Sequence, residues 1–137
     1  MTRIDTIVVN RSEGFARVVD ALDRFAQEHH IASDIVSNMQ LALDEVLKNI
    51  VDYGYADDGE HEIRVGLSVG ENVLQATVED DGVPFNPLKI ATPDTRATLQ
   101  ARRVGGIGVH FVKNLMDDVT YDRVGDYNRL VLRKRIT

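Results

Sequence analysis

The stretch LALDEVLKNIVDYGY, residues 41 to 55, constrains this chain more than any other. With each residue turned 100° about a helix axis, Ile35, Met39, Leu43, Val46, Leu47 and Ile50 form one broad apolar stripe. A stripe of that width commits the segment to a helix lying on another layer. Glu45 and Asn49 fall one turn apart on its flank, stacked as an i, i+4 pair. A carboxylate beside an amide at the border of a buried face can hold a hydrated cation and a nucleophile. A solvated helix edge is the ordinary alternative, because Glu and Asn usually face water. On this helix alone both readings stand.

The rest of the chain supplies a sheet for that helix. Residues 3 to 9 read as a short strand, and Asn10 with Glu13 has the spacing of a capping box. Phe15, Val18, Val19, Leu22, Phe25 and Ala26 carry the helical period. Ser33 can cap the second helix, which runs to about Tyr53 and stops at Gly54. Ile63, Val65, Leu67 and Val69 then alternate with polar residues, and after a turn at Gly70 so do Leu74, Ala76 and Val78. A third helix is expected from near Gly106 to about Asp117, and residues 118–124 and 127–135 read as a hairpin around Gly125-Asp126. The order βααββαββ implies an α+β fold, a largely antiparallel sheet with helices on one face. Without repeats or a linker, residues 1–137 read as a single domain.

Charge and composition remove several classes of function. A net charge of −6 argues against general binding to a nucleic-acid backbone. The basic tail of Arg129, Arg133, Lys134 and Arg135 is a local exception, which strand-edge charges that discourage aggregation explain equally well. The absence of cysteine excludes a disulfide scaffold and thiolate metal sites. No apolar run approaches a membrane span and MTRIDTIVV lacks the apolar stretch of a signal peptide, so a cytoplasmic location is expected. His29, His30, His61 and His110 have no metal-ligand spacing. Met39 and Met116 fall on apolar stripes.

Two more features carry chemistry. Asp80 continues the phase of Leu74, Ala76 and Val78, which aims its carboxylate toward the helix-covered side. There it must find donors or take up a proton. Gly82 follows, and its missing side chain lets a backbone or a flat ring approach closely. A turn aspartate bonded to its own backbone is the common alternative. Next, Gly105-Gly106-Ile107-Gly108 opens a helical pattern whose free N–H groups and positive dipole end suit phosphate oxygens. No Gly-Lys-Ser/Thr follows, so it is not a Walker A loop. Between these two lies a long polar segment with Arg96, Arg102 and Arg103, the length of a lid.

In order, the chain holds Glu-x-x-x-Asn on a helix, Asp-x-Gly after a strand, a lid, and Gly-x-Gly opening a helix. That combination resembles the GHKL ATPase superfamily. LALDEVLKNIVDYGY, VEDDGVPFNP and GGIGVHFVKNLMDDVTY are most similar to the anti-sigma factor serine/threonine kinases of bacterial partner switching. The resemblance implies the Bergerat, or histidine-kinase-like ATPase, fold: a two-layer sandwich with a mixed, mostly antiparallel sheet and an ATP lid at about 83–104. It further implies Mg2+ and ATP as ligands. Asn49 would hold the Mg2+, Asp80 would accept from the exocyclic amine of adenine, and Gly82 would make room for the ring. Gly106 and Gly108 would place N–H groups on the phosphates, and Glu45 would be the general base. Two positions depart from the pattern. Pro84 stands where a glycine is usual, which stiffens the start of the lid. Val104 occupies the place of an arginine, leaving Arg103 to reach the γ-phosphate.

The implied activity is transfer of the ATP γ-phosphate to a Ser or Thr of a STAS-type anti-sigma factor antagonist. The protein would otherwise sequester a sigma factor, with no direct nucleic-acid or membrane contact. The first helix and an edge strand leave surface for a homodimer. Competing expectations are a nucleotide-gated module or ATPase that sequesters a partner without kinase activity, a detached histidine-kinase catalytic domain, and a structural α+β domain.

Overall fold

The computed structural model describes residues 2–55, 59–84, 86 and 112–136. Strand β1 (Thr2–Val9) leads into helices α1 (Ser12–Glu28) and α2 (Ser33–Tyr53). Strands β2 (Glu62–Gly70) and β3 (Val73–Asp80) follow, and β4 (Asp118–Val124) and β5 (Tyr127–Arg135) close the chain after a helical stretch at 112–115. The five strands form one sheet in the order β1-β2-β3-β5-β4. All four of its pairings are antiparallel, so no parallel pair of the expected mixed sheet occurs among the described residues.

The register explains the core. Cross-strand partners share a face, so Val65, Val78 and Leu130 stand in one row and Leu67, Ala76 and Leu132 in the next. Each of these is buried, and so are Phe25, Leu22, Met39, Leu43 and Leu47 from the helices. Helix α1 packs on β1, β2 and α2, while α2 also reaches β5. At ~25 cal/mol per Å² of apolar surface, this shared face is the main drive to fold. The opposite face is polar, with Arg3 bonded to Asp5 at 3.0 Å and Arg133 to Asp118 at 2.9 Å. Helices therefore cover one side of the sheet, as the α+β reading expects.

Local expectations needed correction where the partner was distant in sequence. Asn10 does not cap α1, whose N-cap is Arg11 without a side-chain bond. Its amide instead accepts from the His61 N–H at 2.8 Å and donates to the Gly59 carbonyl at 3.2 Å, tying β1 to the entry of β2. Ser33 is the first residue of α2 and Ala32 its N-cap, again with no side-chain bond. Gly54 ends α2 in a right-handed conformation with φ −78°, so no left-handed glycine cap is made. The β2–β3 turn centres on Glu71 and Asn72, with φ of 53° and 64°, the pair of positive angles that a type I′ turn requires. The β4–β5 turn has Gly125 at φ +60° as its first central residue. The basic tail is not on an edge: β5 lies inside the sheet, and Arg129 faces Glu79 at 3.8 Å.

Candidate active site

The two motifs that sequence alone left apart meet at the C-terminal end of α2. The Val83 N–H donates to the Gly54 carbonyl at 2.9 Å. Gly82 packs so tightly there that a Cβ would stand 2.2 Å from the same carbonyl oxygen. A glycine is thus required at 82 by the helix end itself, a reason the sequence reading did not contain. Asn49 and Glu45 lie five and nine residues before Gly54. At roughly 1.5 Å of rise per residue they stand about 7.5 Å and about 13.5 Å from it along the axis. Both are half-buried, between the stripe of Met39, Leu43, Val46 and Leu47 and the solvent, as their helical angles require. Among the described residues neither makes a side-chain hydrogen bond or ion pair.

Asp80 is 3% exposed, on the helix-covered face that its strand phase predicts. Its row runs Val8, Ile63, Asp80, Asn128, Arg123 across all five strands. The Asn128 Nδ2 donates to both carboxylate oxygens, at 3.3 and 3.1 Å, and to the Val83 carbonyl at 2.9 Å. The Tyr121 hydroxyl donates to Asn128 Oδ1. Arg123 donates to the Gly82 carbonyl at 2.9 Å. Burial pushes the Asp80 carboxyl above the usual carboxylate range. The hydrogen bonds from Asn128 and the Gly82 N–H pull the other way, Asp81 adds to the rise and Arg123 opposes it. No ion pair to Asp80 forms among the described residues. A buried carboxylate held by neutral amides is suited to a neutral donor such as an aromatic amine.

Beside it, Tyr55 stacks on His61 with ring centroids 3.8 Å apart, and His61 Nδ1 lies 3.9 Å from Asp81. The Tyr55 hydroxyl is buried without a hydrogen-bond partner among the described residues. Burial, then the charges of Asp80 and Asp81, push its ionisation well up, which keeps it a neutral donor. Asn128, Tyr121 and Arg123 were missed from sequence. A signal existed for Asn128, a polar residue in the buried phase of Leu130 and Leu132, as Asp80 is in the phase of Val78. Gly106, Gly108 and Arg103, with most of the lid expected at about 83–104, lie outside the described residues.

Residues 8–134 match the histidine kinase-like ATPase domain. The chain belongs to that family. This ATPase-family domain is 25% identical to the anti-sigma F factor of Bacillus subtilis over 114 residues, 83% of this chain and 77% of that one. It is 29% identical to the serine-protein kinase RsbW of Bacillus thuringiensis over 122 residues, covering 85% and 75%. A crystal structure of the RsbU and RsbW domains of Rv1364c from Mycobacterium tuberculosis superposes with a TM-score of 0.70 at 16% identity. The match spans 99% of this domain and 33% of that chain, and shows a shared fold. No helix among the described residues is long and apolar enough to cross a membrane.

Proposed function

We propose that this domain is an anti-sigma-type protein serine/threonine kinase. It binds Mg-ATP and transfers the γ-phosphate to a Ser or Thr of a STAS-type anti-sigma factor antagonist. The observation that carries the reading is the junction of α2 with the Asp80-Gly82 turn. It brings the buried Asp80 acceptor to the end of the helix that carries Asn49 and then Glu45, which supports a nucleotide lying with its base at Asp80 and its phosphates toward α2. Serine-protein kinases among the relatives favour transfer over mere sequestration.

The placement of the described residues supports the following roles. The Asp80 carboxylate accepts from the exocyclic amine of adenine, and Gly82 leaves the turn flat against the helix end. Glu45, half-exposed and unpaired among the described residues, takes the proton of the attacking hydroxyl, worth about 10²–10⁴ in rate. Mg2+, when bound, neutralises charge on the phosphates, and the oxygen of Asn49 is a fitting ligand for a hard cation that keeps most of its waters. Gly106 and Gly108 would direct backbone N–H groups to phosphate oxygens, and Arg103 would counter charge at the γ-phosphate. The unphosphorylated antagonist is the substrate, a sigma factor is the protein held in its absence, and a second copy of the chain completes the assembly.

The test is transfer of label from γ-labelled Mg·ATP to a purified STAS-type antagonist, with Glu45→Gln alongside. A labelled antagonist that disappears with the variant is the expected result. Release of free phosphate without labelled protein, or labelling that persists in the variant, contradicts it.

A further inference from the structure

The residues that hold Asp80 come from the last hairpin, far from the helix that bears Glu45 and Asn49. Asn128 presents both hydrogens of its amide to acceptors, the Asp80 carboxylate and the Val83 carbonyl. Its oxygen is turned away and receives the Tyr121 hydroxyl. Asn128 is 9% exposed, so an unbonded amide oxygen there would be costly. Tyr121 stands next in its strand's inward phase to Arg123 and opposite Leu130. It therefore supplies a donor to that oxygen while Asn128 spends its hydrogens on Asp80 and on the Val83 carbonyl.

We propose that Tyr121, acting through Asn128, is a positioning residue that keeps the Asp80 carboxylate an acceptor facing the base, and thereby makes the pocket select a purine with an exocyclic amine. This rests on the nucleotide-binding reading above and adds the determinant of base choice. Adenine offers an amine hydrogen to the carboxylate. Hypoxanthine offers only a carbonyl oxygen at that position, which an ionised Asp80 repels. A protonated Asp80 would reverse the preference by donating to that oxygen. The groups that bear on this proton are Asp81 in the adjoining turn, Arg123 on β4 and Tyr55 after α2, with His61 paired to Asp81. Loss of the Tyr121 hydroxyl leaves these in place and changes only the hold on Asn128.

The experiment measures equilibrium binding of Mg·ATP and Mg·ITP from pH 5 to 8 by full-length wild type, Tyr121→Phe and Asn128→Asp. Wild type should favour ATP. Tyr121→Phe should lose about fivefold of that preference, the scale of one neutral hydrogen bond, and its ATP affinity should begin to fall at a higher pH than in wild type. Asn128→Asp sets two carboxyls side by side, one of which must hold a proton, and should lose still more of the preference. If Tyr121→Phe does not fold, Asn128→Asp decides. Equal loss of ATP and ITP, with an unmoved acid limb, would assign Tyr121 to packing alone and overturn the inference. Wild type that binds neither nucleotide would overturn the nucleotide reading with it.

Discussion

The base end of the site and the α2 end differ in how complete they are without a ligand. Asp80 is buried and gripped by Asn128, with Tyr121 and Arg123 behind it. Glu45 and Asn49 are half-buried on a helix flank, and among the described residues their side chains bond to nothing. On the proposed reading, one end is a specificity pocket whose acceptor is fixed beforehand. The other must stay open, because a second protein has to bring its hydroxyl to Glu45. Recognition and chemistry are, on that reading, divided between a sheet row and a helix edge, which meet where Val83 bonds to Gly54.

The contrast breaks most visibly in Glu45→Gln. Transfer to the antagonist should fall by about 10²–10⁴, while ATP affinity changes by less than about threefold. Comparable losses in both would place Glu45 in binding instead. Asp80→Asn should do the opposite at the first step, lowering ATP affinity about 100-fold by removing a charge-assisted acceptor from a dry site. Calorimetric titration of both variants separates them. Asn49→Ala should weaken binding about tenfold with Mg2+ present and leave the metal-free affinity unchanged, since its oxygen serves only the cation. An equal loss with and without the metal would return Asn49 to a packing role.

How much of this the sequence disclosed follows from the range of each interaction. The helix stripe, the alternating strands and the inward Asp80 are local periodicities, and the structure bears them out. The helix caps assigned to Asn10 and Ser33 failed for a physical reason. Asn10 finds better partners in Gly59 and His61, some fifty residues away, which no local motif can report. Asn128 could stand out only as a polar residue in a buried phase, and its partner was not evident until the register set it opposite Asp80. Even Gly82 owes its identity to the Gly54 carbonyl, a contact across the fold. The candidate residues Glu45, Asn49 and Asp80 could be named from local pattern, but the contacts that hold Asp80 required the register.

The smallest expected effect is the most diagnostic of the base end. Burial raises the Asp80 carboxyl above its ordinary value, more than Asn128, the Gly82 N–H and Arg123 lower it. The folded state therefore binds that proton more readily than the unfolded chain. Where the folded state holds more protons, stability falls as pH rises, here through the range above the usual carboxylate value. Asparagine at 80 does not titrate. In the absence of nucleotide, Asp80→Asn should melt higher than wild type at pH 8, with the gap closing as pH is lowered toward 4. Saturating Mg·ATP should invert that order, because wild type gains about 2.7 kcal/mol at a hundred times its Kd while a variant about 100-fold weaker gains only about 0.4 kcal/mol. Melting curves at both pH values, with and without nucleotide, check this. A wild type more stable than the variant at pH 8 without ATP would mean that Asn128, Gly82 and Arg123 already satisfy the carboxylate. The pocket would then be complete without a ligand, and the adenine amine would have to compete with the protein for its acceptor.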